Sequence, residues 1–539
     1  MSVAIEDDKS EISVDQDESV RLKAKVLALA VGVIFVAANA AGQQFQLMEA
    51  SVSDIRRATQ SGKLTCHSLV RQYLDRIEAY DQQGPAINAM LYVNPKALEQ
   101  ADAMDQAIKR GAKLKSLQCI PLVLKDVFDT ADMPTTGGSL ALKGMQPAKD
   151  GFTVVRLRQA GALIVGKTNM HELALAGVTV SSLGGQTKNP YELTRTPGGS
   201  SGGTGAALAA NFATVGTGSD TVNSIRSPSS ANSLVGVRPT RGLISRAGVI
   251  PVSFTQDAVG PITRTVADAA VMLDVMAGYD PDDPVTAVGI GKVPATYTAF
   301  LDRNGLKGVR IGVLRTLFGS GPDHQEVNRV MASALEVLKK HGAILVEVTD
   351  PAFDTGMLAS DLDVQKWEYK YDLNNYLKAQ PNPPVHSLAE LIATGNYYKP
   401  SLEKFLASAE AQQNGLNEPD YRDRRVKIDA LRVRLANALA KDNLVALVYP
   451  HQKRLPVMIG DLNQAERNGI LASLTGFPAI TVPAGFSAPT ASAPIGVPVG
   501  TEFLGQPFSE PQLLKLAYAF EQATHARKPP QSTPPLASR

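Results

Sequence analysis

Residues 198–226, GGSSGGTGAALAANFATVGTGSDTVNSIR, limit what this chain can fold into more than any other segment. Few ordinary folds need so many consecutive residues without bulk. Glycines clustered beside serines let backbone N–H groups converge on a small space, as a developing oxyanion requires. A serine in such a place becomes a nucleophile when a neighbouring group takes its proton. The segment holds no histidine, so the proton acceptor must come from elsewhere.

The flanking pattern alternates between strands and helices. Ile55, Leu64, Leu69, Tyr73, Leu74 and Ile77 recur at three- and four-residue steps and predict helix across 46–80, with a second amphipathic helix at 95–110. The apolar run 118–124, QCIPLVL, predicts a buried strand ending at Lys125. Residues 153–160 read as helix, 161–166 as strand, 206–213 as a closely packed helix and 264–277 as a helix that ends at Gly278. After a turn at 280–284 the alternation resumes with GVRIGVL from 308, a helix near 325–340 and the strand AILVEV. Residues 353–430 are polar and tyrosine-rich and predict a helical cover over the sheet. Late strands fall at 444–449 and 478–483, and 487–498 is a surface loop. This is the pattern of an α/β fold with a covered sheet.

The chain has 539 residues, 44% of them hydrophobic and 20% charged, which fits a large globular unit. A net charge of +2 with mixed signs gives no nucleic-acid footprint. Cys66 and Cys119 cannot build a disulfide framework and lack metal-ligand spacing, so they are expected as two small buried hydrophobes rather than a bridge. Residues 5–18 are acidic and predict disorder. Lys23 and Lys25 then precede an apolar run, Val26 to Ala41, too short for a transmembrane helix. It fits a signal-peptide core with Ala38-Asn39-Ala40 as the cleavage site, with an uncleaved anchor or a buried helix as the alternative, and the acidic stretch ahead of the basic pair is foreign to such leaders. The expectation is export, with membrane contact confined to 26–41. The plan is therefore a leader over 1–45, one domain over 46–528 with its cover at 353–430, and a Pro-rich tail at 529–539 that reads as disordered.

Two motifs mislead. GALIVGKT at 161–168 has the formal spacing of a phosphate-binding loop, but Ala162 to Val165 make a strand core where a wrapping turn is needed. Residues 198–202, GGSSG, match the nucleophile elbow of α/β-hydrolases, yet the preceding YELTRTP is polar and ends in proline, where that elbow needs an apolar strand.

The stretch 198–226, with LKD at 124–126 and GKTNM at 166–170, resembles the amidase signature family. GGQTKNPY at 184–191 and GVPVGTEFLG at 496–505 extend the resemblance over about residues 48–528. GGQTKNPY and the segment from FTQD at 254–257 are most similar to bacterial peptide amidases and related fungal amidases. The resemblance implies a single large mixed β-sheet covered on both faces by helices. It also implies a serine hydrolase with a Ser–Ser–Lys triad and neither metal nor organic cofactor. By position, Lys125 matches the catalytic lysine, Ser200 the bridging serine held by a cis peptide bond, and Ser224 the nucleophile. The backbone N–H groups of Thr221, Val222, Asn223 and Ser224 match the oxyanion hole.

Each role makes chemical sense. Lys125 follows PLVL, and desolvation lowers an amine's pKa until it can accept a proton. Ser200 would relay that proton from Ser224, which attacks an amide carbonyl, forms an acyl-enzyme and releases ammonia or an amine before water completes the reaction. Ser201, Asp220 and Arg226 are expected to support the site by hydrogen bonding. Taken singly, these residues have plainer readings: a surface lysine, turn serines, and Ser224 as a helix cap. Their joint occurrence in order carries the case. Many family members have two glycines where this chain has Val222 and Asn223, so the oxyanion hole is expected to be rearranged or narrower. His171 follows GKTNM and could approach the site; the other six histidines lack metal spacing and read as structural. The expected substrate is a small-molecule or peptide amide. Two alternatives stand beside it: the glutaminase component of a tRNA-linked amidotransferase, passing ammonia from glutamine to a charged tRNA carried by its partners, and a non-catalytic binding protein that keeps the fold.

Overall fold

A computed structural model describes residues 45–537, with Met1 and Ala4 ahead of them. The readings made for 5–41, the acidic segment and the leader, lie outside the described residues. The apolar runs become strands: β1 (Met90–Val93), β2 (Pro121–Lys125), β3 (Leu163–Thr168), β4 (Val180–Ser181), β5 (Gly185–Gln186), β6 (Val215–Asp220) and β7 (Val235–Arg238). They continue as β8 (Ala258–Thr263), β9 (Arg310–Leu314), β10 (Ile344–Val348), β11 (Ala446–Pro450), β12 (Ala479–Phe486) and β13 (Pro498–Leu504). Eleven of them join one sheet in the order β1-β3-β2-β6-β8-β7-β12-β13-β11-β9-β10, and β4 pairs with β5 apart from it. The sheet is mixed. β3, β2 and β6 run parallel, as do β11, β9 and β10, while β8, β7, β12 and β13 pair antiparallel. Helices cover both faces, as the family resemblance implied.

The central strands β2, β3, β6, β7, β8 and β11 are buried nearly throughout, which explains their continuous apolar character. The two misleading motifs resolve as the sequence predicted. GALIVGKT runs into β3, and YELTRTP holds turns and isolated bridges but no strand. Helix predictions hold at Ala97–Lys109, Phe152–Gln159, Val266–Met276 and Gln325–Lys340. The cover is a series of helices from Thr355–Leu362 to Pro419–Lys441, packed through Trp367, Tyr421, Ile428 and Leu435.

Four expectations are corrected. The helix read across 46–80 is two, Val52–Gln60 and Cys66–Tyr80, because Thr65 caps the second through a reciprocal bond with Ser68. The helix expected from Ala206 begins at Gly202, where close packing favours glycine over helix-forming residues: a Cβ on Gly203 would collide with the Asn169 carbonyl. Cys66 and Cys119 form a disulfide, with Cα atoms 5.0 Å apart across a separation of 53 residues. Packing of the Cys66 helix against the turn before β2 brings them together, which their spacing did not reveal. Finally, the Pro-rich tail is ordered against the body: Arg76 donates to Thr533 O and Pro534 O, both at 2.8 Å, and Ser532 Oγ to Pro190 O at 2.6 Å. Among the described residues no helix is long and apolar enough to cross a membrane.

Candidate functional site

Lys125 is the last residue of β2 and is completely buried. Its Nζ donates to Ser200 Oγ at 2.7 Å and to Ser219 Oγ at 2.8 Å, with Ser219 O at 3.4 Å. Burial is the dominant influence and pushes the amine down to about 7, against a smaller upward pull from Asp220 and Asp257. Ser219, on β6, was not singled out from sequence. It sits one residue before Asp220 on a strand parallel to β2, and strand pairing alone places it there.

Ser200 lies in the loop that enters the helix Gly202–Ala209, after a cis Gly199–Ser200 peptide bond. This loop is threaded closely. Thr179 Oγ1 donates to Gly198 O at 2.7 Å and accepts from Gly202 N at 3.1 Å. The His171 N–H donates to Ser200 O at 2.9 Å, while its ring Nε2 meets Ser401 Oγ at 2.9 Å on the helical cover. Burial holds the imidazole neutral, at about 3. His171 therefore does approach the site, and it touches Ser200 through the backbone.

Ser224 follows β6 in the turn before the short helix Arg226–Ala231. It is only 5% exposed, and its carbonyl accepts from Ser201 N at 3.2 Å. Its hydroxyl does not cap that helix, whose first flanking residue is Ile225 with no side-chain cap. Among the described residues no hydrogen bond joins the hydroxyls of Ser200 and Ser224. Close packing sets the space here, since a Cβ on Gly218 would lie 2.9 Å from Ile225 Cγ1 and 3.0 Å from Ser201 Oγ.

The four backbone N–H groups of Thr221 to Ser224 find no acceptor among the described residues. None of the four residues has a positive φ, so Val222 and Asn223 occupy this turn in ordinary backbone regions. Their surroundings brace them. Val222 O accepts from Arg226 Nη2 at 2.8 Å and Ser473 Oγ at 2.9 Å. Asn223 Oδ1 accepts from Gly469 N at 2.9 Å, a bond two glycines could not make. Thr221 Oγ1 donates to Asp257 Oδ1 at 2.6 Å.

Behind the turn lies a buried charge network larger than Asp220 and Arg226 suggested. Arg226 Nε reaches Asp220 Oδ2 at 3.0 Å and its Nη1 reaches Glu502 Oε1 at 2.6 Å. Arg238 Nη1 meets Asp220 Oδ1 at 3.0 Å, and His451 Nδ1 meets Glu502 Oε2 at 2.6 Å. The two arginines hold the Asp220 carboxyl far below its usual range despite burial, and Arg226 and His451 hold Glu502 at about 2. Arg238 and Glu502 were missed in the sequence because strands β7 and β13 deliver them from far along the chain, while His451, read as structural, follows β11 and braces Glu502. A narrow cleft bounded by Ser219, Thr221, Ile250, Val252, Phe254 and Asp257 opens beside the turn that begins at Thr221.

Comparison with known proteins follows the same lines. A family model described as Amidase matches residues 68–514. A probable amidase of Arabidopsis thaliana is 36% identical over 506 residues, covering 90% of this chain and 92% of its own. The A-type subunit of the glutamyl-tRNA(Gln) amidotransferase of Alkaliphilus metalliredigens is 32% identical over 493 residues, covering 88% of this chain and 97% of its own. Among solved structures, the peptide amidase of Stenotrophomonas maltophilia superposes with a TM-score of 0.81 at 37% identity, covering 90% of this chain and 99% of that one.

Proposed function

Because this chain belongs to the amidase signature family, we propose that it hydrolyses a linear carboxamide through an acyl-enzyme on Ser224, with Ser200 as proton relay and Lys125 as base. The observation that carries this reading is the completely buried Lys125 amine, held near 7 and bonded to Ser200 at 2.7 Å. A lysine in that state is substantially neutral at pH 7 and can take the Ser200 proton as Ser200 takes that of Ser224. The hydroxyls of Ser200 and Ser224 must meet for this; catalytic hydrogen bonds are often long in free enzymes and tighten on substrate. As Ser224 Oγ bonds to the carbonyl carbon, the oxygen gains negative charge, and the free N–H groups of 221–224 are the donors proposed to receive it. The proton then returns from Lys125 through Ser200 to the leaving nitrogen, so ammonia or an amine departs neutral. Water attacks the acyl-enzyme by the same relay, releasing the carboxylic acid.

The peptide amidase likeness supports a terminal carboxamide over a backbone peptide bond. The test is ammonia release by the purified chain across a panel of aliphatic, aryl and peptide C-terminal amides, without ATP or tRNA. Hydrolysis of panel members is the expected result; a flat panel overturns the reading. The amidotransferase relative motivates a second reading, which predicts turnover of glutamine alone and dependence on partner proteins. The Cys66–Cys119 bridge also favours an oxidising compartment, and we propose that the protein is exported. Recovery of the chain only from the cytosolic fraction, with both thiols free, would contradict that.

A further inference from the structure

The buried arginines around the site are neutralised by carboxylates: Arg226 by Asp220 and Glu502, Arg238 by Asp220. Arg467 is not. Its guanidinium makes one hydrogen bond, Nη1 to Gly199 O at 3.3 Å, and no carboxylate pairs with it among the described residues. Gly177 seats it, since a Cβ there would collide with the guanidinium. Burial lowers its pKa to about 10, which leaves it charged at neutral pH. It therefore stands as an uncompensated cation beside the peptide that leads into Ser200, with Nε and Nη2 unused by the described residues. The side chain is half-buried, so Nε and Nη2 stay open to an incoming group, and a guanidinium is the side chain best shaped to take a carboxylate through paired N–H bonds. Nearby, the loop that runs back to Arg467 exposes Met458, Ile459 and Leu462. That loop is fastened to the segment before Ser200 by Thr196 N donating to Val457 O at 2.9 Å and Ile459 N to Thr194 O at 2.8 Å.

Resting on the hydrolytic reading above, we propose that Arg467 is a specificity-determining residue that binds a carboxylate carried by the acyl portion of the amide substrate, so that the enzyme prefers anionic amides. The carboxylate could belong to the half-amide of a dicarboxylic acid or to an acidic residue at the end of a peptide amide, and the test has an arm for each. Succinamate and glutaramate are compared with butyramide and pentanamide, and dipeptide amides ending in aspartate or glutamate with those ending in norvaline. The wild-type enzyme should favour the anionic member by at least about tenfold in kcat/KM in one arm, which identifies the source. Arg467→Gln should reduce that ratio at least about tenfold, and Arg467→Lys should retain part of it. An unchanged ratio in Arg467→Gln, or no wild-type preference in either arm, overturns the proposal while leaving amide hydrolysis intact. Calorimetric binding of succinate and glutarate against butyrate to the wild-type chain reads the same site without catalysis or mutation. Tighter dicarboxylate binding supports the proposal even if no amide is cleaved, and equal binding overturns it.

Discussion

Two lysines lie side by side on parallel strands, and their surroundings make opposite uses of the same side chain. Leu124 faces Lys167 across the β2–β3 ladder and Lys125 faces Thr168. Both amines are completely buried. Lys167 has a carboxylate, Asp126 Oδ1 at 3.1 Å, and also donates to Pro134 O and Thr135 Oγ1, each at 2.9 Å. Lys125 has only hydroxyls and a carbonyl, with its nearest influential acids, Asp220 and Asp257, engaged elsewhere. Burial pushes both amines down, but Asp126 opposes it directly at Lys167, while Lys125 settles at about 7. The counter-ion, more than burial, separates an ion-paired lysine from one whose amine is free to take up a proton.

Removing the proposed nucleophile in Ser224→Ala should cost the most, at least about 10⁴-fold in kcat for amide hydrolysis, read by ammonia release. Lys125→Met, which keeps the volume but removes the proposed base, should cost about 10³-fold in kcat with the fold retained by circular dichroism. Lys167→Met should do something different. It strands Asp126 in the core and should lower unfolding stability by about 3–5 kcal/mol in denaturant titration, while the pH midpoint of activity in the folded fraction stays where it was. A loss of kcat in the folded fraction of that variant as large as in Lys125→Met would erase the distinction. Cys66→Ser with Cys119→Ser should cost about 2–4 kcal/mol of stability, most of it through a less constrained unfolded chain.

Lys125 also sets a pH dependence of stability. The Lys125 pKa in the folded chain, about 7, lies below the ordinary 10.5. Between those values the unfolded chain holds a proton that the folded chain does not, so stability rises with pH across the window, and the burial penalty is fully present below 7. Lys125→Met should flatten the slope of unfolding free energy over pH 7–10 relative to wild type. An identical slope would mean that the amine titrates like a solvated one.

The strands were legible where a short apolar run had no rival reading. β2, β3, β9 and β10 come directly from PLVL, LIVG, RIGVL and ILVEV. The helix Gly202–Ala209 was harder, because glycine's low helix propensity hid a start that tight packing demands. Lys125, Ser200 and Ser224 were legible only through family order, since each alone has a commoner role. Contacts closed by topology were invisible: Ser219 on a neighbouring strand, the Arg226–Glu502 pair 276 residues apart, the bridge between Cys66 and Cys119, and Arg467 over Gly199. The tail misled through composition. Proline-rich sequence signals disorder until specific acceptors, here Thr533 O and Pro534 O for Arg76, are seen to be used.

The proton path from Ser224 to Lys125 can be read from the rate at which a fluorophosphonate labels Ser224, followed from pH 5 to 10. A neutral Lys125 drawing a proton through Ser200 predicts a rate that rises through a single ionisation near 7 and collapses in Lys125→Met. A rate that is flat with pH, that climbs only near the ordinary lysine value, or that survives loss of the amine would contradict it.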